Sequence, residues 1–338
     1  MKLSENLTFR ANIFNYEARY YEDYNQGAQK IDFSSIDLGN NSGIAKNYQT
    51  FQNFLNYPLK EQISQLNSLT RLFHENEELG EEEIGKKKTP ISKEGKVFIQ
   101  IILEVLSCSI SDLKNLSKEL SQSSLDATSK EKKKTSANKI SQNLINTLLL
   151  LDGIIMCNVD LAGAIELLGE NVGVQVVEYL YIILDDSTNE YYTDYAKEVA
   201  SHIISCCLVF SVKTEYNVND YKKIIDWIIN YNIHKNKTRT CLLTTNLYII
   251  LSHDNGLQCF LQLVPKGLET IIEIMTREYS INIVYEAIFC IWNIANSSKY
   301  ISIFEENKEN IFDKLIQVIK MNKVEKVIRI GTLCIKVS

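Results

Sequence analysis

From residue 140 onward, apolar residues recur three and four positions apart with few interruptions. That spacing lays them along one stripe of an α-helix. It predicts helices over 140–156, 161–168, 172–185, 191–210, 220–231 and 238–252. Four more segments follow: GLETIIEIM from Gly267, YEAIFCIWNIAN from Tyr285, NIFDKLIQVIK from Asn310 and VEKVIRIGTLCIKV from Val324. They form two successive pairs, in which Gly267 is matched by Asn310 after 43 residues and Tyr285 by Glu325 after 40. A helical unit repeating every forty-odd residues is the signature of armadillo and HEAT arrays. No alternating strand pattern of useful length occurs. The expected fold class is therefore all-α, an armadillo/HEAT-like right-handed α-solenoid.

The first part of the chain is less regular. Residues 1–48 are rich in Tyr, Asn and acidic groups and are expected to form an N-terminal arm with a helix over 9–26. Residues 48–73 read as helical, with Phe51, Phe54, Leu55, Ile63, Leu66, Leu69 and Leu72 at mixed three and four spacing. Helical character returns over 97–120. Between these lie an acidic run that ends in Lys86, Lys87 and Lys88, and a Ser/Lys-rich stretch. The composition predicts flexible charged loops near 75–96 and 121–136 within a solenoid spanning 49–338.

Within the repeats the polar residues are also patterned. On the helix around Trp292, apolar side chains cover most of the circumference. Asn282, Glu286, Asn293 and Asn296 fall in one stripe about 80° wide at 100° per residue. On the last helix Glu325, Arg329, Thr332 and Lys336 follow at i, i+4, i+7 and i+11. A helix sandwiched between repeats shows water only such a ribbon, and stacked ribbons tile into a groove for a long partner helix or peptide. Taken singly, each residue also reads as part of a solvated face, with Glu325 and Arg329 as an i,i+4 pair.

Bulk composition narrows the function classes. A net charge of −6 argues against nucleic-acid binding, which needs a basic surface. No run of about 20 apolar residues predicts a membrane span, and the first residues do not resemble a signal peptide. Only three prolines, Pro58, Pro90 and Pro265, interrupt the chain. The eight cysteines are scattered, mostly in apolar runs and without a C-x-x-C pair, so they read as small core residues rather than metal ligands. Trp227 and Trp292 read as core anchors.

Catalytic motifs fail. GEEEIGKK, from Gly80 to Lys87, approaches a phosphate-binding loop. However, Lys87 stands where a hydroxyl must meet magnesium, and Glu81, Glu82 and Glu83 would repel phosphate. No acid/base pair or nucleophile is singled out, so no cofactor, metal or catalysis is expected.

The stretch 220–335 resembles the H subunit of the vacuolar-type proton-translocating ATPase. The likeness runs through YKKIIDWI, CFLQLVPKGLETIIEIM and YEAIFCIW to EKVIRI, Glu325 to Ile330. RANIFNY near the start resembles the family's R-A-N-x-x-N-aromatic motif, with Arg10, Ala11, Asn12 and Asn15 in place and Tyr16 where Trp is common. The resemblance implies a non-catalytic regulatory and stator component on the cytosolic face of acidified endomembranes such as vacuole, lysosome and endosome. Its implied partners are the E and G subunits of the peripheral stalk, with the membrane-sector a-subunit and the catalytic sector as further contacts. Arg10, Asn12, Asn15 and Tyr16, together with Asn282, Glu286, Asn293, Glu325 and Arg329, are the candidate partner-binding residues. The family's smaller C-terminal domain, which restrains ATP hydrolysis in the detached sector, is expected to be absent, so the chain is expected to dock without braking. The competing expectation is an armadillo-type cytosolic adaptor. Such proteins repeat Trp–Asn pairs along their groove; Trp292-Asn293 is one, but Ile228 follows Trp227 and breaks the ladder.

Overall fold

The computed structural model describes residues 93–121, 126–157, 172–210, 216–230, 237–264, 266–277, 281–297 and 299–337. Among them are eleven helices and no strand. These are α1 (Lys93–Leu120), α2 (Ala127–Cys157), α3 (Val172–Asp185), α4 (Asp194–Phe210), α5 (Val218–Asn230) and α6 (Lys237–Leu251). They continue as α7 (Asp254–Leu263), α8 (Gly267–Thr276), α9 (Ile281–Asn296), α10 (Ile301–Met321) and α11 (Glu325–Val337). The all-α expectation holds. The chain divides into two compact units, Met1–Val199 and Ala200–Ser338.

In the first unit, α1 buries Ile102, Leu106, Ile110 and Leu113 along one stripe, and α2 answers with Ala137, Leu144, Leu148 and Leu151. Burying each large side chain is worth about 2 kcal/mol, so this apolar seam holds the pair together. Val176, Leu180 and Ile183 of α3 add to the same core. The turn after α3 is tied down by polar groups. Asp186 Oδ1 accepts from the backbone N–H groups of Thr188 and Asn189. Beyond it the Tyr192 hydroxyl donates to the Ile110 carbonyl at 3.1 Å, and Ser141 Oγ donates to the Tyr191 carbonyl at 2.6 Å. A short turn thus fixes the relation of α1, α2 and α3.

The charged loop expected at 121–136 is largely helix. α2 begins at Ala127, so the Lys-rich run 130–134 lies within its first turns. Lys and Glu are good helix formers, and a cap supplies the start signal. Asp126 accepts from the Ser129 N–H at 2.9 Å and from its hydroxyl at 2.7 Å, satisfying a donor that the first turn would otherwise leave open. Helix α1 likewise starts at Lys93, inside the other expected loop.

In the second unit the helices form two rows. α6, α9 and α11 lie side by side; α5, α7, α8 and α10 form the other row, and α8 and α10 pack onto α9. Asn246 of α6 donates to Ser201 near the middle of α4 at 2.8 Å. Helices α6, α9 and α11 begin at Lys237, Ile281 and Glu325, two steps of 44 residues, and pack in that order. The repeat read from sequence is thus a repeat of structure, stacked as in an armadillo/HEAT α-solenoid.

Helix α7 has no counterpart in the periodicity reading. It opens with Asp254-Asn255-Gly256, residues that ordinarily mark a turn. Gly256 is required because a Cβ there would lie 2.2 Å from the Ile250 carbonyl oxygen at the end of α6. The two helices can therefore follow each other with only Ser252 and His253 between them.

Candidate partner-binding face

Helix α9 is buried nearly all round. Ile283, Val284, Ala287, Ile288, Cys290, Ile291, Ile294 and Ala295 face neighbours in both rows. Apart from exposed Ile281 at its start, what remains towards water is the flank that carries Asn282, Trp292, Asn293 and Asn296, all half-buried. The polar stripe exists, but α6 and α11 crowd it on both sides.

Glu286 departs most from the expected ribbon. It is 7% exposed, and its Oε2 accepts a hydrogen bond from the Thr245 hydroxyl of α6 at 2.9 Å. A carboxylate out of water needs donors, and α6 supplies one. Glu286 therefore ties α6 to α9 rather than pointing at solvent. Three aromatic rings run along the adjacent flank: Tyr285 lies 6.0 Å from Phe289, which lies 5.1 Å from Trp292. Tyr248 of α6 meets Phe289 edge-on at 4.8 Å. Trp292, read from sequence as a core anchor, packs on Phe289 but is half-buried, as is Trp227. The Asn293 side-chain nitrogen is buried without a hydrogen-bond partner among the described residues.

On α11 the polar residues that the spacing predicts, Glu325, Arg329, Thr332 and Lys336, are exposed, and Leu333 is exposed beside them. Glu325 and Arg329 do not pair with each other among the described residues. Instead the neighbouring Lys326 reaches across to α9. Its Nζ donates to Asn282 Oδ1 at 2.6 Å and lies 5.3 Å from the Tyr285 ring centroid. Burial raises the Tyr285 phenol above its usual range. The nearby Arg329 charge opposes the rise, and Glu286 reinforces it. Sequence reasoning does not single out Lys326 or Tyr285. The available signal is that Lys326 stands three residues before Arg329, on the same helical side.

Arg10, Asn12, Asn15 and Tyr16 lie outside the described residues. Among the described residues, no three or more His, Cys, Asp and Glu side chains converge as a metal site. Cys206, Cys207, Cys259, Cys290 and Cys334 are buried, whereas Cys108 is exposed. No helix among the described residues is long and apolar enough to cross a membrane.

Stacked helix pairs with narrow mixed-polarity flanks define an all-α solenoid, a class that presents extended surfaces to other macromolecules. A family model for the N-terminal part of the V-ATPase H subunit matches residues 107–336, about two thirds of the chain. The chain belongs to the V-ATPase H-subunit family. Membership implies association with a V-ATPase complex, of which the H subunit is a regulatory component. A search of curated proteins found no match.

Proposed function

We propose that this chain is a non-catalytic regulatory and stator component of the proton-pumping V-ATPase. It docks on the peripheral stalk formed by the E and G subunits, on the cytosolic face of acidified endomembranes, and helps couple ATP hydrolysis to proton transport. The membrane-sector a-subunit and the catalytic sector are its further contacts. The observation that carries this reading is the row α6, α9 and α11, in which α9 and α11 each carry a flank of half-buried or exposed polar residues, in a chain of the H-subunit family. A stator must hold against torque. A long face spreads that load over many weak contacts along one stalk helix, where a single pocket would concentrate it.

The test is affinity purification of the tagged full chain from its own cells. Recovery of the E and G subunits in near-stoichiometric amounts is the expected result. Recovery of cargo or basic peptides without any ATPase component would overturn the reading in favour of an adaptor.

A further inference from the structure

We infer that the edge where α9 meets α11 recognises an acidic peptide segment, one that offers carboxylates to Lys326 and Arg329 and an apolar residue to Leu333. The inference rests on reading the chain as a docking component and specifies the chemistry of what docks there.

Three observations carry it. The first is how Lys326 is held. A surface lysine ordinarily samples many rotamers, but here the ammonium is bonded to Asn282 at 2.6 Å and rests against the Tyr285 ring. An ammonium has three donors, and one hydrogen bond plus a ring contact leaves a donor for an incoming acceptor. The entropy of fixing the side chain has already been lost before a partner arrives.

The second observation is Arg329. It lies three residues further along α11, is exposed, and makes no ion pair with Glu325 among the described residues. Its planar fork matches a carboxylate in two parallel hydrogen bonds. Leu333, one turn beyond, is 42% exposed. Read along the helix, the edge therefore presents cation, cation, apolar side chain.

The third is charge. The chain carries −6 overall, yet between residues 321 and 337 Lys323, Lys326, Arg329 and Lys336 face one carboxylate, Glu325. A local reversal of sign on an acidic protein attracts acidic segments to that place and away from the rest of the surface. The nearby Glu286 is turned inward and accepts from Thr245, so it presents no carboxylate on the surface of this edge.

The experiment uses the full chain and two short fluorescent helical peptides with the same leucine seam, one with Glu and one with Lys at the flanking positions. The Glu peptide is expected to bind and the Lys peptide to fail, with binding weakening as salt rises. The double variant Lys326→Glu/Arg329→Glu should reduce affinity about tenfold or more, roughly what losing two charge-assisted contacts implies. Lys326→Met, which keeps the stem against Tyr285, should show part of the loss while circular dichroism stays unchanged. Equal binding of both peptides, or a double variant within about twofold of the parent, overturns the inference. So does binding to anionic lipid vesicles that matches the Glu peptide and is equally lost in the variants. If the E and G subunits are not recovered with the parent chain but the Glu peptide still binds selectively, the site stands and the stator reading fails. If both are recovered and peptide selectivity is absent, the reverse holds.

Discussion

In the second unit, the hydroxyl of Tyr221 joins three segments of the chain. This side chain on α5 is fully buried, and its hydroxyl donates to the Leu208 carbonyl near the end of α4 at 2.7 Å. The same oxygen lies 3.0 Å from His253 Nδ1, with the two rings stacked at 5.6 Å and 11°. Since the phenol proton goes to the carbonyl, His253 must donate from Nδ1. One oxygen thus links α4, α5 and the α6–α7 turn. Tyr221→Phe keeps the ring and removes both hydrogen bonds, depriving the carbonyl of buried Leu208 and the half-buried His253 imidazole of this shared partner. At about 1 kcal/mol for each bond, the loss is about 2 kcal/mol. With a urea m-value of about 2 kcal/mol/M, the midpoint falls by about 1 M. The two tryptophans, Trp227 and Trp292, both lie in the second unit, so fluorescence reports its unfolding selectively. Burial lowers the His253 pKa, and the nearby Asp254 only partly opposes this. The unfolded chain therefore takes up the proton first, so stability should fall as pH drops below about 6.5. In a double-mutant cycle, Tyr221→Phe and His253→Ala should be non-additive. A midpoint shift below about 0.3 M urea, or strict additivity, would refute the linkage.

Other expectations follow from the same packing. Gly256→Ala forces a Cβ against backbone at 2.2 Å and should cost about 3 kcal/mol, whereas Gly331→Ala meets only the flexible end of Ile319 at 2.9 Å and should be nearly neutral. Thermal melts of the two variants would settle this, and equal losses would contradict it. Among the cysteines of described burial, iodoacetamide should modify Cys108 first. The reaction should still be slow, because burial and then Asp112 and Glu104 push that thiol up. Comparable labelling of Cys206 or Cys290 without denaturant, followed by mass spectrometry, would count against this core. Asp126→Ala should speed amide exchange in the first turn of α2. The Ser129 hydroxyl and N–H hold the Asp126 carboxyl below its usual value, so the cap should act at neutral pH and fade only as pH falls through that lowered value. Unchanged exchange at residues 127–131 would remove the cap from the account.

How much is legible in the sequence differs from element to element. Helix α3 is read at its observed bounds, and α9 and α11 emerge with their polar flanks nearly intact, because a stripe of Ile, Val and Leu at helical spacing has one economical way to leave water. The break at 121–136 is misread because Ser and Lys mark loops by composition. What starts α2 is one hydrogen-bonded cap at Asp126, which composition does not weigh. Helix α7 is overlooked because Asn255-Gly256 signals a turn, while the glycine answers to a carbonyl on α6 that is six residues away in sequence and in direct contact in space.

The candidate face divides along the same line. That the chain is helical, that it repeats every forty-odd residues, and that α9 and α11 each carry a polar stripe all follow from local periodicity. Which stripe residues meet solvent does not; that is a matter of packing. Glu286 turns inward to Thr245 because a neighbouring repeat brings a donor within reach, while Arg329 stays open on the edge. Lys326 crosses to Asn282 and Tyr285, 44 and 41 positions earlier in the chain, a meeting that no local pattern encodes. Periodicity fixes what shares a side of one helix; which side becomes a surface depends on the helix that packs beside it.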